Sequence, residues 1–447
     1  MSGIAGIAGA GRQAEVERML EKIGHRGPAG RRIVEVDGAT LGIVWTKIQA
    51  DAARVLGEEQ TAQDSTGDGH FARAQVTDRG VVLARDPLGV APLYFGRTAD
   101  GALCFASEVK ALLEVTRTVH EVPPGHYYDG TQMTSYFTLH KQPPLDESPE
   151  HIARELRRLL ATSVEKCIQD DVMGSWLSGG LDSSTIAALA RPHVRVLHTF
   201  AAGLSGAPDL EHARVVASFI GSHHHEVIVT LDEMLTVLPQ VIYHLESFDA
   251  LLVRSSITNY LVAKAASDYV PAVFSGEGGD ELFAGYEYLK SLDPGLLADE
   301  LIDITGRLHN TALQRVDRSA SAHGIVAHVP FTDPAVVDYA LRIPTEYKLR
   351  DGIEKWILRR AMEGALPEPV LTRTKAKFWE GAGVGDRLAQ YADERIGDDE
   401  FLRERTLPNG WLLNSKEELM YYRLFREHFG DLDDLSWVGR TKGAPRS

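Results

Sequence analysis

The stretch WLSGGLDSS (176–184) decides how this chain is read. Trp176 and Leu177 end an apolar, strand-like run, Ser178-Gly179-Gly180 form a turn, and a helix starts near Asp182-Ser183-Ser184. Two glycines let a backbone approach an anion closely. A helix start adds unpaired N–H groups and the positive end of the helix dipole, and Ser178, Ser183 and Ser184 add hydroxyl donors. Asp182 would repel phosphate unless a cation lay between them, which implies Mg²⁺. The loop lacks the lysine of GxxxxGK[ST], which grips β- and γ-phosphates. Holding pyrophosphate this way suits cleavage of ATP between the α and β phosphates, giving AMP and pyrophosphate. The bland alternative is a glycine-rich turn with no ligand. The length of the run and its place after an apolar strand weigh against that.

Working outward, the 447 residues are 44% hydrophobic and 25% charged, an ordinary globular composition at a length that suggests two domains or more. Net charge is -16, from 63 acidic and 47 basic residues. This argues against a nucleic-acid surface, which would need a basic face. Any phosphate site must then be built locally, from backbone amides and a few lysines. Two cysteines without CxxC spacing, Cys104 and Cys167, argue against a disulfide framework or a structural zinc site. With no apolar run of membrane-spanning length and no leader pattern, the expectation is a cytoplasmic protein without a membrane partner.

Residues 1–138 read as β-rich. GVVLARDPLGVAPLYFG (80–96) gives two strands around a DPLG turn, ALCFAS (102–107) a strand and EVKALLEV (108–115) a short helix. The polar, proline-containing segment 139–150 reads as a linker. From 151 to 447 the pattern changes. EHIARELRRLLATSVEKCIQ (150–169) has helical spacing, and GSWL (174–177), VRVLHTFAAG (194–203) and VPAVFSG (270–276) are apolar runs that alternate with helices. Such alternation implies a parallel sheet covered by helices. The tail from about 290 to 430 reads as mostly helical. HHH (223–225) is read as structural, because neighbours on a strand point to opposite faces and cannot share one ion.

SGGLDSS is similar to the pyrophosphate loop of ATP pyrophosphatases, and the chain around it resembles the glutamine-dependent asparagine synthetase family. The resemblance runs through HRGP (25–28), LARDPLGVAPLYFG (83–96), FASEVKALL (105–113), VPPGHYY (122–128), VIYHLESFD (241–249), SGEGGDELFAGY (275–286), LHNTALQRVDR (308–318), HGIVAHVPFTD (323–333) and RTKAKFWEGAG (373–383). It implies an α/β protein. A truncated N-terminal-nucleophile (Ntn) hydrolase-like αββα domain would be followed by a Rossmann-like ATP pyrophosphatase domain.

The resemblance also implies roles. Leu177, Ser178, Gly179, Gly180, Asp182, Ser183 and Ser184, with Ser275 and Gly276, would hold ATP, and Asp182 with Asp280 would share Mg²⁺ on the pyrophosphate. Lys355 matches a lysine expected near the pyrophosphate. Lys375 matches the lysine that stabilises the acyl-adenylate and the tetrahedral intermediate, where an oxyanion develops beside a phosphate. Glu277 is the glutamate of the asparagine-synthetase type, where β-lactam synthetases carry tyrosine. Arg254 fits a carboxylate clamp for an acidic substrate. An ordinary helix ion pair is its structural alternative.

The chain departs from the family at three places. The family's G-[LIV]-E-A-R-V-P-F reads GIVAHVPF here, with Val326 and His328 replacing glutamate and arginine, which points to a lost ion pair near the substrate. Ser2 stands where the family has its nucleophilic cysteine. LGIVWTKI (41–48) lacks the glutamine-binding arginine, and too few residues separate Trp45 from Phe71 to contain the rest of a glutamine pocket.

The expectation is therefore an ATP- and Mg²⁺-dependent, AMP-forming amide synthetase without glutaminase, serving specialised metabolism. Its partners would be a carboxylic acid and an amine or free ammonia, with a homodimer left open. The front domain would be kept because it covers an apolar face of the synthetase half. An ammonia-dependent asparagine synthetase, a β-lactam- or macrolactam-forming enzyme, and a silent scaffold are the alternatives.

Overall fold

The computed structural model describes residues 2–58, 61–65, 68–373 and 387–442. Lys375 lies outside the described residues. The first half holds two antiparallel sheets. Six strands, β1 (Gly3–Ile7), β2 (Gly30–Val36), β3 (Ala39–Trp45), β7 (Tyr94–Arg97), β8 (Leu103–Ala106) and β9 (His120–Glu121), pair in the order β2-β3-β1-β8-β7-β9. The other five are β4 (Thr61–Ser65), β5 (Phe71–Thr77), β6 (Gly80–Arg85), β10 (His126–Tyr128) and β11 (Met133–Ser135), in the order β11-β10-β6-β5-β4. GIAGI of β1 is buried along its whole length. Its small residues allow close packing: a Cβ on Gly6 would lie 2.5 Å from the Phe105 ring.

The second half is built on a parallel sheet. Its strands β12 (Val172–Trp176), β13 (Val196–Gly203), β14 (His223–Ile228), β15 (Ala272–Phe274) and β16 (Val326–His328) lie in the order β14-β13-β12-β15-β16. Both mid-sheet strands β12 and β15 end in loops that carry the expected motifs. The order reverses at β12, so these two loops meet outside the carboxyl ends of the strands, where open α/β sheets bind ligands. The tail is mostly helical as read, but β16 inside it supplies the fifth strand, and Leu349–Arg350 pairs with Ile353–Glu354 in a short antiparallel hairpin. Three residues are too short a run to show a strand period.

The two halves share one continuous hydrophobic cluster, yet the interface is also strongly ionic. Fully buried Arg26 donates to Glu108 at 2.8 Å, to Asp317 at 2.8 and 2.9 Å, and to the Ser2 carbonyl at 2.8 Å. Arg318 reaches back to Glu108 at 2.7 Å and to Glu246 at 3.1 Å. Burial opposes the charge on Arg26, but Asp317 and Glu108 outweigh it and hold its pKa above the ordinary value. Glu246 also accepts from the amides of Val109 and Lys110 at 3.0 and 2.7 Å, which compensates the helix start it faces. The front domain thus does more than cover an apolar face. It carries countercharges without which buried groups of the second half would be uncompensated.

Candidate active site

A cavity of about 460 Å³ opens where the loops after β12 and β15 meet. From the expected set, Leu177, Ser178, Gly180, Asp182, Ser183, Ser275, Gly276, Glu277, Asp280 and Lys355 line it. Gly179 and Ser184 stand just behind the lining. Gly179 has φ +71°, and a Cβ there would lie 2.5 Å from the Ala213 amide, so only glycine lets the loop press on the helix Pro208–Ile220. Gly276 plays the matching part: a Cβ would lie 2.7 Å from the Ser183 amide, so the two loops touch.

The loop is held by its own serines. Ser178 and Ser183 hydroxyls are 3.1 Å apart, and Ser183 Oγ also accepts from the Ser178 amide at 3.2 Å. Two of the three expected hydroxyl donors therefore shape the turn. Ser184 Oγ, by contrast, is buried without a hydrogen-bond partner among the described residues, as is Trp176 Nε1 beside the cavity. Buried donors without partners are costly, and both suit the oxygens or ring nitrogens of a nucleotide.

Asp182 and Asp280 come together as expected, but around a side chain. Lys355 Nζ sits between them, bonded to Asp182 and 2.5 Å from Asp280, with the lysine almost fully buried. Its backbone is left-handed, φ 57°, and its amide bonds the Phe283 carbonyl at 3.1 Å. Glycines make room for the cluster: a Cβ on Gly279 would lie 2.5 Å from the Asp182 carboxyl carbon, and one on Gly285 would collide with Asp280 and Lys355. Two carboxylates and one ammonium sum to a single negative charge, so the donor set fits a divalent cation bound with phosphate oxygens.

Glu277, after Gly276 in the same loop, pairs with Arg315 of the helix Ala312–Ser321. Its neighbour Glu281 accepts from the Tyr286 hydroxyl, and burial, then nearby Asp280, pushes the Glu281 carboxyl up to about 7. Arg373, the first residue of RTKAKF, also lines the cavity and holds Asp209 at 2.6 Å. Leu251, Leu252, Ile304 and Tyr288 add apolar surface to the lining.

Arg254 is elsewhere. Its guanidinium grips buried Glu417 at 2.7 and 3.0 Å, and it is not part of the cavity lining. The clamp expectation therefore gives way to an ion pair between two helices, since Leu251, Leu252 and Ser255 occupy the face toward the cavity. Val326 and His328 are likewise away from the lining; His328 packs on the front domain, 3.2 Å from Asp68. Sequence reasoning missed Arg315, Asp209 and Glu281. The motif LHNTALQRVDR carried Arg315, but nothing local separates it from a solvated helix arginine.

At the front, Ser2 is fully buried, and its hydroxyl donates to Asp64 at 2.8 Å. Burial raises the Asp64 carboxyl to about 6 against the pull of Arg26.

Parallel sheet, paired loops and acid–lysine cluster define a nucleotide-cleaving synthetase site, and comparison with known proteins agrees. The family model "Asparagine synthase" matches residues 155–298 and 295–444, and a "Glutamine amidotransferase domain" model matches 46–175. The chain is 36% identical over 375 residues to asparagine synthetase B (glutamine-hydrolyzing) of Escherichia coli, covering 78% of this chain and 67% of that one. It is 37% identical over 390 residues to a probable asparagine synthetase of Schizosaccharomyces pombe, covering 78% and 70%. For asparagine synthetase 2 of Arabidopsis thaliana the figures are 35% over 393 residues, 81% and 67%. The chain belongs to the asparagine synthase family. It is an ATP-dependent carbon–nitrogen ligase of the class that forms AMP and pyrophosphate.

Proposed function

We propose that this enzyme adenylates a substrate carboxylate and couples it to an amine or free ammonia, with no glutaminase activity of its own, in specialised metabolism. The observation that carries the reading is a contrast between the two halves. The synthetase cavity gathers Asp182, Glu277, Asp280 and Lys355, whereas Ser2 is buried and its hydroxyl is engaged by Asp64. A buried, hydrogen-bonded serine offers glutamine no approach.

In this reading the loop after β12 and Ser275-Gly276 hold the nucleotide, and Asp182 and Asp280 hold Mg²⁺. Bound there, Mg²⁺ would offset charge on the departing pyrophosphate. Lys355 holds the two aspartates in place and adds a fixed cation beside the phosphates. Glu277, oriented by Arg315, accepts a proton from the attacking nitrogen or positions it. Lys375 supplies the second cation, at the acyl-adenylate. The apolar surface that Leu251, Leu252, Ile304 and Tyr288 add to the lining favours an acid with an apolar body over aspartate.

An ATP–pyrophosphate exchange screen over a panel of carboxylic acids, with Lys375→Ala as control, tests the reading. The expected result is exchange with an apolar acid, followed by AMP formation when an amine is added. Turnover of aspartate with ammonium to asparagine would replace it with the ammonia-dependent synthetase, and ADP as product would refute it outright.

A further inference from the structure

We propose that Asp68, Cys167 and His328 form a three-ligand site for a zinc-class divalent ion that ties the two domains together. The residues come from three places. Asp68 precedes β5 in the front domain, Cys167 ends the helix Pro149–Lys166, and His328 is the last residue of β16. They are 6%, 1% and 1% exposed, and one ligand atom from each lies within 4.8 Å of the others.

Two of the three ligand separations are close to the edges of a tetrahedral shell, and the third is within 4.8 Å. Asp68 Oδ2 is 3.2 Å from His328 Nδ1 and 3.5 Å from Cys167 Sγ. Zinc–oxygen and zinc–nitrogen bonds of about 2.1 Å and zinc–sulfur bonds of about 2.3 Å give tetrahedral edges of roughly 3.4 Å for O–N and 3.6 Å for O–S. The other carboxylate oxygen is already directed. Asp68 Oδ1 lies 3.1 Å from His70 Nδ1, and His70 Nε2 is 3.2 Å from the Thr332 carbonyl oxygen. His70 thus orients the ligating carboxylate, as outer-shell partners of metal ligands do.

Ligand type selects the ion. A thiolate, an imidazole and a carboxylate suit zinc rather than Mg²⁺ or Ca²⁺, which take oxygen. On binding, the Cys167 thiol releases its proton to solvent as the metal–sulfur bond forms. Thiolate and carboxylate then offset the two positive charges of the ion. His328 is also where this chain departs from the family pattern, and the Ser275 amide bonds its carbonyl at 2.8 Å. The ion would therefore brace the strand next to the loop that carries Glu277 and Asp280.

The test is a Co²⁺ titration of the chelator-stripped full chain, read by the thiolate-to-cobalt charge-transfer band. The chain has two cysteines, and the carboxylate pair at Asp182 and Asp280 cannot give this band. The expected result is saturation at one ion per chain, displacement by Zn²⁺, loss of the band in Cys167→Ser and its retention in Cys104→Ser. His70→Ala should keep the band and weaken binding about 10–100-fold. Absence of a stoichiometric band in the native chain overturns the proposal, even if Cys167→Ser does not fold. So does a band that survives Cys167→Ser, and the cluster is then hydrogen-bonded only.

Discussion

Replacing Lys355 by methionine removes one charge from the centre of the site and little else. Methionine retains most of the stem, so the packing under Phe283 should survive. The lysine side chain is 2% exposed, and those of Asp182 and Asp280 are 11% and 15%. At an effective dielectric near 20, a unit charge pair about 4 Å apart interacts by about 4 kcal/mol. Two consequences follow with opposite signs. The phosphates lose a fixed cation, and losing one preorganised donor costs about 2.7–4 kcal/mol of barrier, or roughly 100- to 1,000-fold in rate. The two aspartates, by contrast, become a site of charge -2 in place of -1, so a divalent cation binds more tightly. ATP–pyrophosphate exchange measured against Mg²⁺ concentration reads both effects. The maximal rate should fall by at least about 100-fold, while half-saturation by Mg²⁺ moves at least about tenfold lower, a conservative fraction of the Coulomb figure. Lys355→Arg should recover neither, since the fork does not fit the space left by Gly285. A Lys355→Met enzyme that folds and exchanges within threefold of the native rate would refute the reasoning. So would one whose Mg²⁺ requirement rises.

Three further outcomes are expected. Ser2→Cys should not restore release of glutamate from glutamine, because Asp64 and Arg26 close over position 2; detectable glutaminase would contradict the sealed-pocket reading. Arg26→Met should destabilise the protein by about 3–5 kcal/mol in urea unfolding, since it strands buried carboxylates; adding Asp317→Asn should recover part of that, and strict additivity would count against the network. Burial lowers the Lys348 ammonium from 10.5 to about 7. Between those values the folded chain binds fewer protons than the unfolded chain, so stability should rise with pH across this window and fall as pH drops toward 7, with an upper bound of about 5 kcal/mol. Lys348→Met should flatten that slope and raise Tm at pH 7; an unchanged slope would show the ammonium to be stabilised by another group.

Much of the site was legible because its parts are contiguous. SGGLDSS and SGEGGDELFAGY each place a loop of small residues directly after a strand, and each brought its acid to the cavity. Lys355 was found by motif, though not its position between the two aspartates, which depends on a left-handed residue and on the space left by Gly279 and Gly285. Arg254 misled because a helix presents different residues every 100°. Its neighbours Leu251, Leu252 and Ser255 face the cavity while it faces Glu417. His328 looked like a loss on the substrate side and is instead a contact with the front domain.

The sequence alone determined the division into a β-rich half and a half of alternating strands and helices, the two motif loops that line the cavity and the serine at position 2, since each is written in adjacent residues or in a short run. Tertiary structure decided which charges meet. The partnerships of Arg26 with Asp317, Glu277 with Arg315, and Asp68 with Cys167 and His328 join residues 38 to 291 positions apart. No local pattern encodes such pairs. They exist because burying a charge is tolerable only beside its opposite, and only the folded chain brings the opposites together.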